Sequence, residues 1–283
     1  MAGLKKKKLL QEVHEFMRLH HYSIHTERTY CDWIRQYVLF HGMTSRSHLD
    51  GGERKIGSGF SLTWPWIKNR TCNAEPGHER PVFLYKKVLK MPLDESINAV
   101  RAAKKINTPV VLTRGETARL ITLVKGTPQL VVKLIYGSGL RISEAVRLRV
   151  QDIDIKLKAI TVRSGKGKKD HITTFPSSIL PFLKDHLNKV KEIHATDLAN
   201  GYGEVYMPYA LARKYPQGAK RWCWQYVFPA NRVSTDPRSG KTRRHHIDPS
   251  SVNKAVKAAV TAAGIQKKIS SHTFRHSFAT HLL

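Results

Sequence analysis

His272 and Arg275 lie in the stretch His272-Thr273-Phe274-Arg275-His276-Ser277-Phe278-Ala279-Thr280-His281-Leu282-Leu283. Residues three apart share a helix face, so an imidazole and a guanidinium can converge there on one anion. A proton donor beside a fixed cation suits a phosphate group. Phe274, Phe278 and Leu282 recur every fourth residue and give the same helix an apolar flank. Two further cations have backbone settings that favour anions. Arg141 follows Gly137-Ser138-Gly139, where glycine permits a sharp turn, and stands at a helix start whose unpaired N–H groups attract negative charge. Lys166 sits in Ser164-Gly165-Lys166-Gly167-Lys168, the tip of a Gly-rich hairpin, as a flexible charge with a proton to give. His272 and His276 have metal-ligand spacing, but the Glu of H-E-x-x-H and a third ligand are missing, so no metal is expected.

These residues require particular elements around them. The pattern predicts a mainly α chain with a small antiparallel sheet, an α+β fold. Thr113-Arg114-Gly115-Glu116 is a capping box opening a helix to about Val124. Pro128 starts a helix over Gln129 to Tyr136, which Gly137-Ser138-Gly139 ends, and a short helix follows from Arg141. Ile153-Asp154-Ile155, Ala159 to Val162 and His171 to Phe175 read as three short antiparallel strands, the last two joined at the Lys166 tip. Helices return from Ser177, and Ser251 to Ala263 is helical, with Gly264 as its stop. The N-terminal part begins with two helices. Leu9, Leu10, Val13, Phe16 and Met17 line one. Tyr30, Trp33, Ile34, Tyr37 and Val38 line the other, with Thr26 as its cap. Their aromatic side chains fit a packing core better than base stacking. Periodicity fails from about Thr44 to Pro81 and resumes over Val82 to Leu89. The expected domains are 1–92, irregular at about 48–81, then a basic linker 93–109 and a second domain 110–283.

With 49 Lys and Arg against 21 Asp and Glu, the 283 residues carry a formal charge of +28. Such an excess points to a polyanion, above all nucleic acid, because neutralised phosphates release condensed counterions. No apolar run is long enough to span a membrane, and Gln11, Glu12, His14 and Glu15 interrupt any signal-peptide core. Cys31, Cys72 and Cys223 are odd in number and form no CxxC pair, which fits free thiols in a reducing, intracellular compartment.

The ordered set carries the specificity. Gly137-Ser138-Gly139-Leu140-Arg141-Ile142-Ser143-Glu144, then Gly165-Lys166-Gly167-Lys168, then the His272 helix resembles the tyrosine recombinase (phage-integrase-like) family. His194 through Pro216, Trp222-Cys223-Trp224-Gln225-Tyr226-Val227-Phe228-Pro229, Ser234 to Gly240 and Arg243-Arg244-His245-His246 resemble the extra segment of its integron integrase branch. His20-His21-Tyr22-Ser23, Thr29 to Ile34 and Val82-Phe83-Leu84-Tyr85 resemble that branch too.

The resemblance implies a helical N-terminal DNA-clamping domain and a tyrosine-recombinase catalytic domain. It implies cleavage by transesterification, in which a Tyr attacks a DNA phosphate, forms a 3′-phosphotyrosyl bond and frees a 5′-hydroxyl, with no cofactor. Arg141 and Arg275 would clamp the non-bridging oxygens, Lys166 would protonate the leaving 5′-oxygen, His272 would assist proton transfer and Glu144 would buttress the site. Trp222, Trp224, Tyr226, Arg243 and Arg244 are candidate DNA contacts in the extra segment. The implied partners are a double-stranded attachment site and a folded single-stranded cassette site, bound by a homo-tetramer in a bacterial cytoplasm. Two departures qualify the match. The family continues past this helix to a Leu-Gly-His stretch and the nucleophilic Tyr, whereas the last of the ten tyrosines here is Tyr226. The expectation is therefore a C-terminally truncated chain with no nucleophile of its own, the alternative being a cleavage-incompetent DNA-binding remnant. The irregular run at 48–81 falls where the family has DNA-clamp helices. A metal-dependent nuclease would need a carboxylate cluster that the sequence does not display.

Overall fold

The computed structural model describes residues 8–49, 83–91, 108–163 and 169–282. Lys166, Cys72, nearly all of the irregular run and most of the basic linker lie outside the described residues. The chain divides into two compact units, Met1–Ile106 and Asn107–Leu283.

In the first unit, α1 (Leu9–Leu19) and α2 (Ile24–Phe40) pack with a π-helical turn at Leu84–Leu89. The cap of α2 is Ser23, whose side chain accepts from the Thr26 N–H at 3.1 Å, so the helix starts before the cap expected from sequence. Val13, Met17, Cys31, Ile34, Phe83 and Leu84 form the core, with Leu9, Leu10, Phe16 and Tyr30 against it. The aromatic positions of α2 therefore serve packing. Glu27 is buried, and its carboxylate accepts from His14 Nδ1 at 2.7 Å and Arg18 Nε at 3.1 Å. A buried carboxylate needs such partners, because a lone ion there would be strongly disfavoured. Burial pushes the Cys31 thiol up to about 11, making it an unreactive packing group. Leu49, in a 3-10 turn at Arg46–Leu49, is buried with Tyr37 and Tyr85, whose hydroxyls meet at 3.3 Å. His48 and Leu49 are thus the described residues of the stretch read as irregular.

The second unit holds α3 (Arg114–Leu123), α4 (Thr127–Ser138), α5 (Ile142–Arg147), the strands β1 (Ile153–Asp154), β2 (Ala159–Val162) and β3 (His171–Thr174), and α6 (Leu180–Ala199). It continues with α7 (Tyr209–Lys214), β4 (Pro229–Thr235), β5 (Thr242–His246), α8 (Pro249–Ala263) and α9 (Ser271–Leu282). The fold is mainly helical with small antiparallel sheets, as expected. The capping box of α3 is present, Thr113 Oγ1 accepting from the Glu116 N–H at 3.1 Å and Glu116 from the Thr113 N–H at 2.8 Å. β1, β2 and β3 pair antiparallel in that order, with Ile160 opposite Thr173 and Val162 opposite His171. Ile160 and Val162 enter the main core, which α4 crosses through Leu130, Val131, Leu134 and Ile135.

Two helix boundaries and one hairpin of this unit differ from the sequence expectation. α4 runs through Gly137 and Ser138, and only Gly139, at φ 64°, ends it. α8 begins at Pro249, because Asp248 caps it by accepting from the Ser250 N–H at 2.6 Å. The β4–β5 hairpin, with Val233 opposite Arg244, was not anticipated, since Thr242-Arg243-Arg244-His245-His246 shows no apolar alternation.

Candidate active site

Three helix ends meet at the candidate site. α4 stops at Gly139, whose left-handed backbone turns the chain toward Arg141. A Cβ at Gly139 would stand 2.5 Å from the Phe278 ring of α9, so glycine is also what lets α9 approach this loop. Arg141 is the N-cap residue of α5, and Glu144 at the third helical position reaches back to it. The Glu144 carboxylate accepts from the Arg141 N–H at 2.8 Å and from Arg141 Nη1 at 2.6 Å. One side chain thus completes the helix cap and pairs the cation. Glu144 Oε2 also lies 3.7 Å from Arg275 Nη1, and the same Arg275 nitrogen donates to the Gly139 carbonyl.

The burial is uneven in a useful way. The Glu144 side chain is 7% exposed, whereas the Arg141 and Arg275 side chains are each 32% exposed. The carboxylate is thus held inside while two arginines from different helices open outward. Burial alone would raise the Glu144 pKa, but the Arg141 backbone N–H, the Arg141 guanidinium and the Arg275 charge together hold it below the usual carboxylate value. For Arg275, partial burial and the Arg141 charge act against the Glu144 charge and lower its pKa, leaving it a cation at neutral pH. His272, the exposed residue of the first turn of α9, is held below the ordinary histidine value by partial desolvation and by His276, Arg275 and Arg141. Arg141, Glu144, His272 and Arg275 form one electrostatically coupled group. Arg163, just after β2, donates from Nε to buried Asp152 at 2.7 Å, and Lys166 lies outside the described residues.

The aromatic segment is placed differently from the sequence expectation. Tyr226 is buried, with His245, His246 and the Arg149 guanidinium against its ring, and offers no face for base stacking. Trp222 and Trp224 are partly exposed. Arg149, which sequence inspection does not single out, anchors this segment. Its Nη1 donates to the Trp224 carbonyl at 2.6 Å and its Nη2 to the Tyr206 carbonyl at 2.7 Å. Arg244 is likewise internal: Nε and Nη2 form a fork onto Asp197 of α6 at 2.5 and 2.7 Å, and Nη1 donates to the Ala230 carbonyl. Arg243 pairs with Asp236 at 2.9 Å and is 12% exposed. Both arginines are tied to carboxylates of this chain and pin the β4–β5 hairpin. Nothing in local sequence separates a paired arginine from a free one.

The sequence pattern of the phage integrase family matches residues 111–283, and that of the phage integrase N-terminal SAM-like domain matches residues 9–53. The chain is 38% identical over 289 residues to an integrase/recombinase of Escherichia coli, covering 100% of this chain and 83% of that one. It is 26% identical over 280 residues to the tyrosine recombinase XerA of Thermococcus kodakarensis, covering 97% and 81%. Among solved structures, XerH site-specific recombinase bound to a palindromic difH substrate in a post-cleavage complex aligns with a TM-score of 0.55 at 16% identity, over 97% of this chain and 73% of that one. The Tn1549 transposon integrase in complex with transposon right end DNA aligns at 0.54 and 13% identity, over 98% and 86%. The chain belongs to the phage integrase family of tyrosine recombinases. Its family activity is site-specific DNA strand cleavage and rejoining.

Proposed function

We propose that this chain is an integron-type integrase that binds a double-stranded attachment site and a folded single-stranded cassette site. The observation that supports the proposal is the buried Glu144 carboxylate facing both Arg141 and Arg275, an arrangement that suits two cations acting on one phosphate. A phosphodiester transition state gathers charge on its non-bridging oxygens, and fixed guanidinium donors stabilise that charge more than the ground state. Arg141 and Arg275 hold those oxygens, Lys166 protonates the departing 5′-oxygen and His272 assists the proton movement. Residues 1–92 act as the DNA clamp, 93–109 as the linker and 110–283 as the catalytic domain. Trp222 and Trp224 offer partly exposed rings for extrahelical bases. Four copies assemble on DNA, in the bacterial cytoplasm.

No tyrosine in these 283 residues follows His272, so the attacking residue is not assigned to this chain. That observation favours, for residues 1–283 alone, a second reading as a DNA-binding form that does not cut. Incubation with a nicked suicide duplex carrying the attachment site tests both. Binding without a covalent adduct on a denaturing gel is the expected result. An adduct overturns the assignment of the nucleophile outside this chain, and absence of duplex binding overturns the integrase reading itself.

A further inference from the structure

The group that opens toward DNA on α9 is held from behind by a second set of polar contacts. Ser277 is fully buried, and its hydroxyl makes one donated and one accepted hydrogen bond. It donates to the Thr273 carbonyl at 2.9 Å and accepts the Leu112 N–H at 2.9 Å. One helical turn further on, His281 Nε2 lies 2.9 Å from the Leu112 carbonyl, and its Nδ1 lies 2.9 Å from the Tyr136 hydroxyl. A carbonyl can only accept, so Nε2 carries the proton, and in the neutral ring Nδ1 accepts from Tyr136. The Arg114 guanidinium also donates to the His281 carbonyl at 3.1 Å. Leu112 is itself buried, immediately ahead of the α3 cap at Thr113.

We propose that Ser277 and His281 are positioning residues for Arg275 and His272, acting by gripping both the N–H and the C=O of Leu112. Residues 277 and 281 are one turn apart on a single face of α9, and two bonds to one residue's backbone fix both the rotation and the axial register of a helix. Arg275 lies two residues before Ser277, and its contacts to Gly139 and Glu144 are met only at that register. A slip that breaks the Leu112 grip also carries Phe278 away from Gly139. The functional part of the inference rests on the reading of Arg275 and His272 as phosphate-binding groups; the mechanical part does not.

The test uses the full chain and three substitutions. His281→Gln keeps an amide N–H near the position of Nε2 and so retains the Leu112 bond. His281→Asn and Ser277→Ala each remove one arm of the grip. Long-range ¹H–¹⁵N correlation spectra report the His281 tautomer, and the steady-state heteronuclear NOE of the Arg275 Nε–H reports its rigidity. The expected result is a neutral Nε2–H ring, a rigid Arg275 in wild type and His281→Gln, and a mobile Arg275 in His281→Asn and Ser277→Ala. An Nδ1–H ring, or a rigid Arg275 in all variants, overturns the proposal. Melting curves accompany each variant; if Ser277→Ala does not fold, the Gln/Asn pair decides. A second arm titrates an attachment-site duplex against salt. His281→Asn is expected to lower the slope by the same amount as Arg275→Ala, about one phosphate contact. An unchanged slope for Arg275→Ala defeats the phosphate reading alone, and the NOE result still judges the positioning role.

Discussion

Glu144 holds Arg141 at two points, accepting from its backbone N–H at 2.8 Å and from its guanidinium at 2.6 Å. The first bond caps α5, the second aims the cation, and the same carboxylate also faces Arg275. A single buried charge thereby sets both helix geometry and the orientation of two arginines that would otherwise repel.

Glu144→Gln removes that charge while keeping the shape. Breaking one partner of a buried ion pair costs about 3–5 kcal/mol, and the partial exposure of both arginines reduces the expectation to about 1–3 kcal/mol of stability. Because the folded-state pKa of Glu144 is lowered, its contribution is fully present above the unfolded carboxylate value. It is lost as pH falls through the lower folded value. Chemical denaturation of wild type and variant across the acid range measures this: the two curves converge at low pH and separate toward neutrality.

Gly139→Ala places a methyl group against Phe278 at a backbone φ of 64°. Both the strain and the clash oppose folding, and the expected loss is about 2 kcal/mol or more. Phe278→Leu in the same chain relieves the clash and leaves the backbone strain, so the double variant should be more stable than the sum of the single effects implies. Urea melts of the four proteins give the coupling energy directly.

Arg244→Ala leaves the Asp197 carboxylate buried without its fork. The expected loss is about 3 kcal/mol, with the salt dependence of DNA binding unchanged, because Arg244 is consumed inside the fold. Arg141→Ala should also cost about 1–3 kcal/mol, because buried Glu144 loses its guanidinium partner, but its salt slope should fall by about one. Thermal denaturation paired with salt titrations of duplex binding separates the two kinds of arginine.

Local chemistry was legible where local bonds decide it. The Thr113–Glu116 capping box, the three strands around Ile160 and the stop of α8 at Gly264 all follow from short-range patterns and appear in the structure. The β4–β5 hairpin was not legible, because its strands are held by Arg244 on Asp197, forty-seven residues away, and not by an apolar face. Tyr226 illustrates the same difficulty. Its neighbours Trp222 and Trp224 suggest an aromatic surface, yet its own ring is closed off by Arg149 and two histidines.

What the sequence determined by itself was the family and its order of parts: the Arg141 motif, the Gly165-Lys166-Gly167-Lys168 segment and the His272 motif are covalent facts. Tertiary structure decided which cations are available. Arg141, Arg243, Arg244 and Arg275 are the same residue type, and folding leaves the Arg141 and Arg275 side chains 32% exposed around one shared carboxylate, while Arg243 and Arg244 are 12% and 18% exposed on Asp236 and Asp197. The physical reason is that a guanidinium's role depends on which acceptors reach it, and its partners here come from distant elements of the chain.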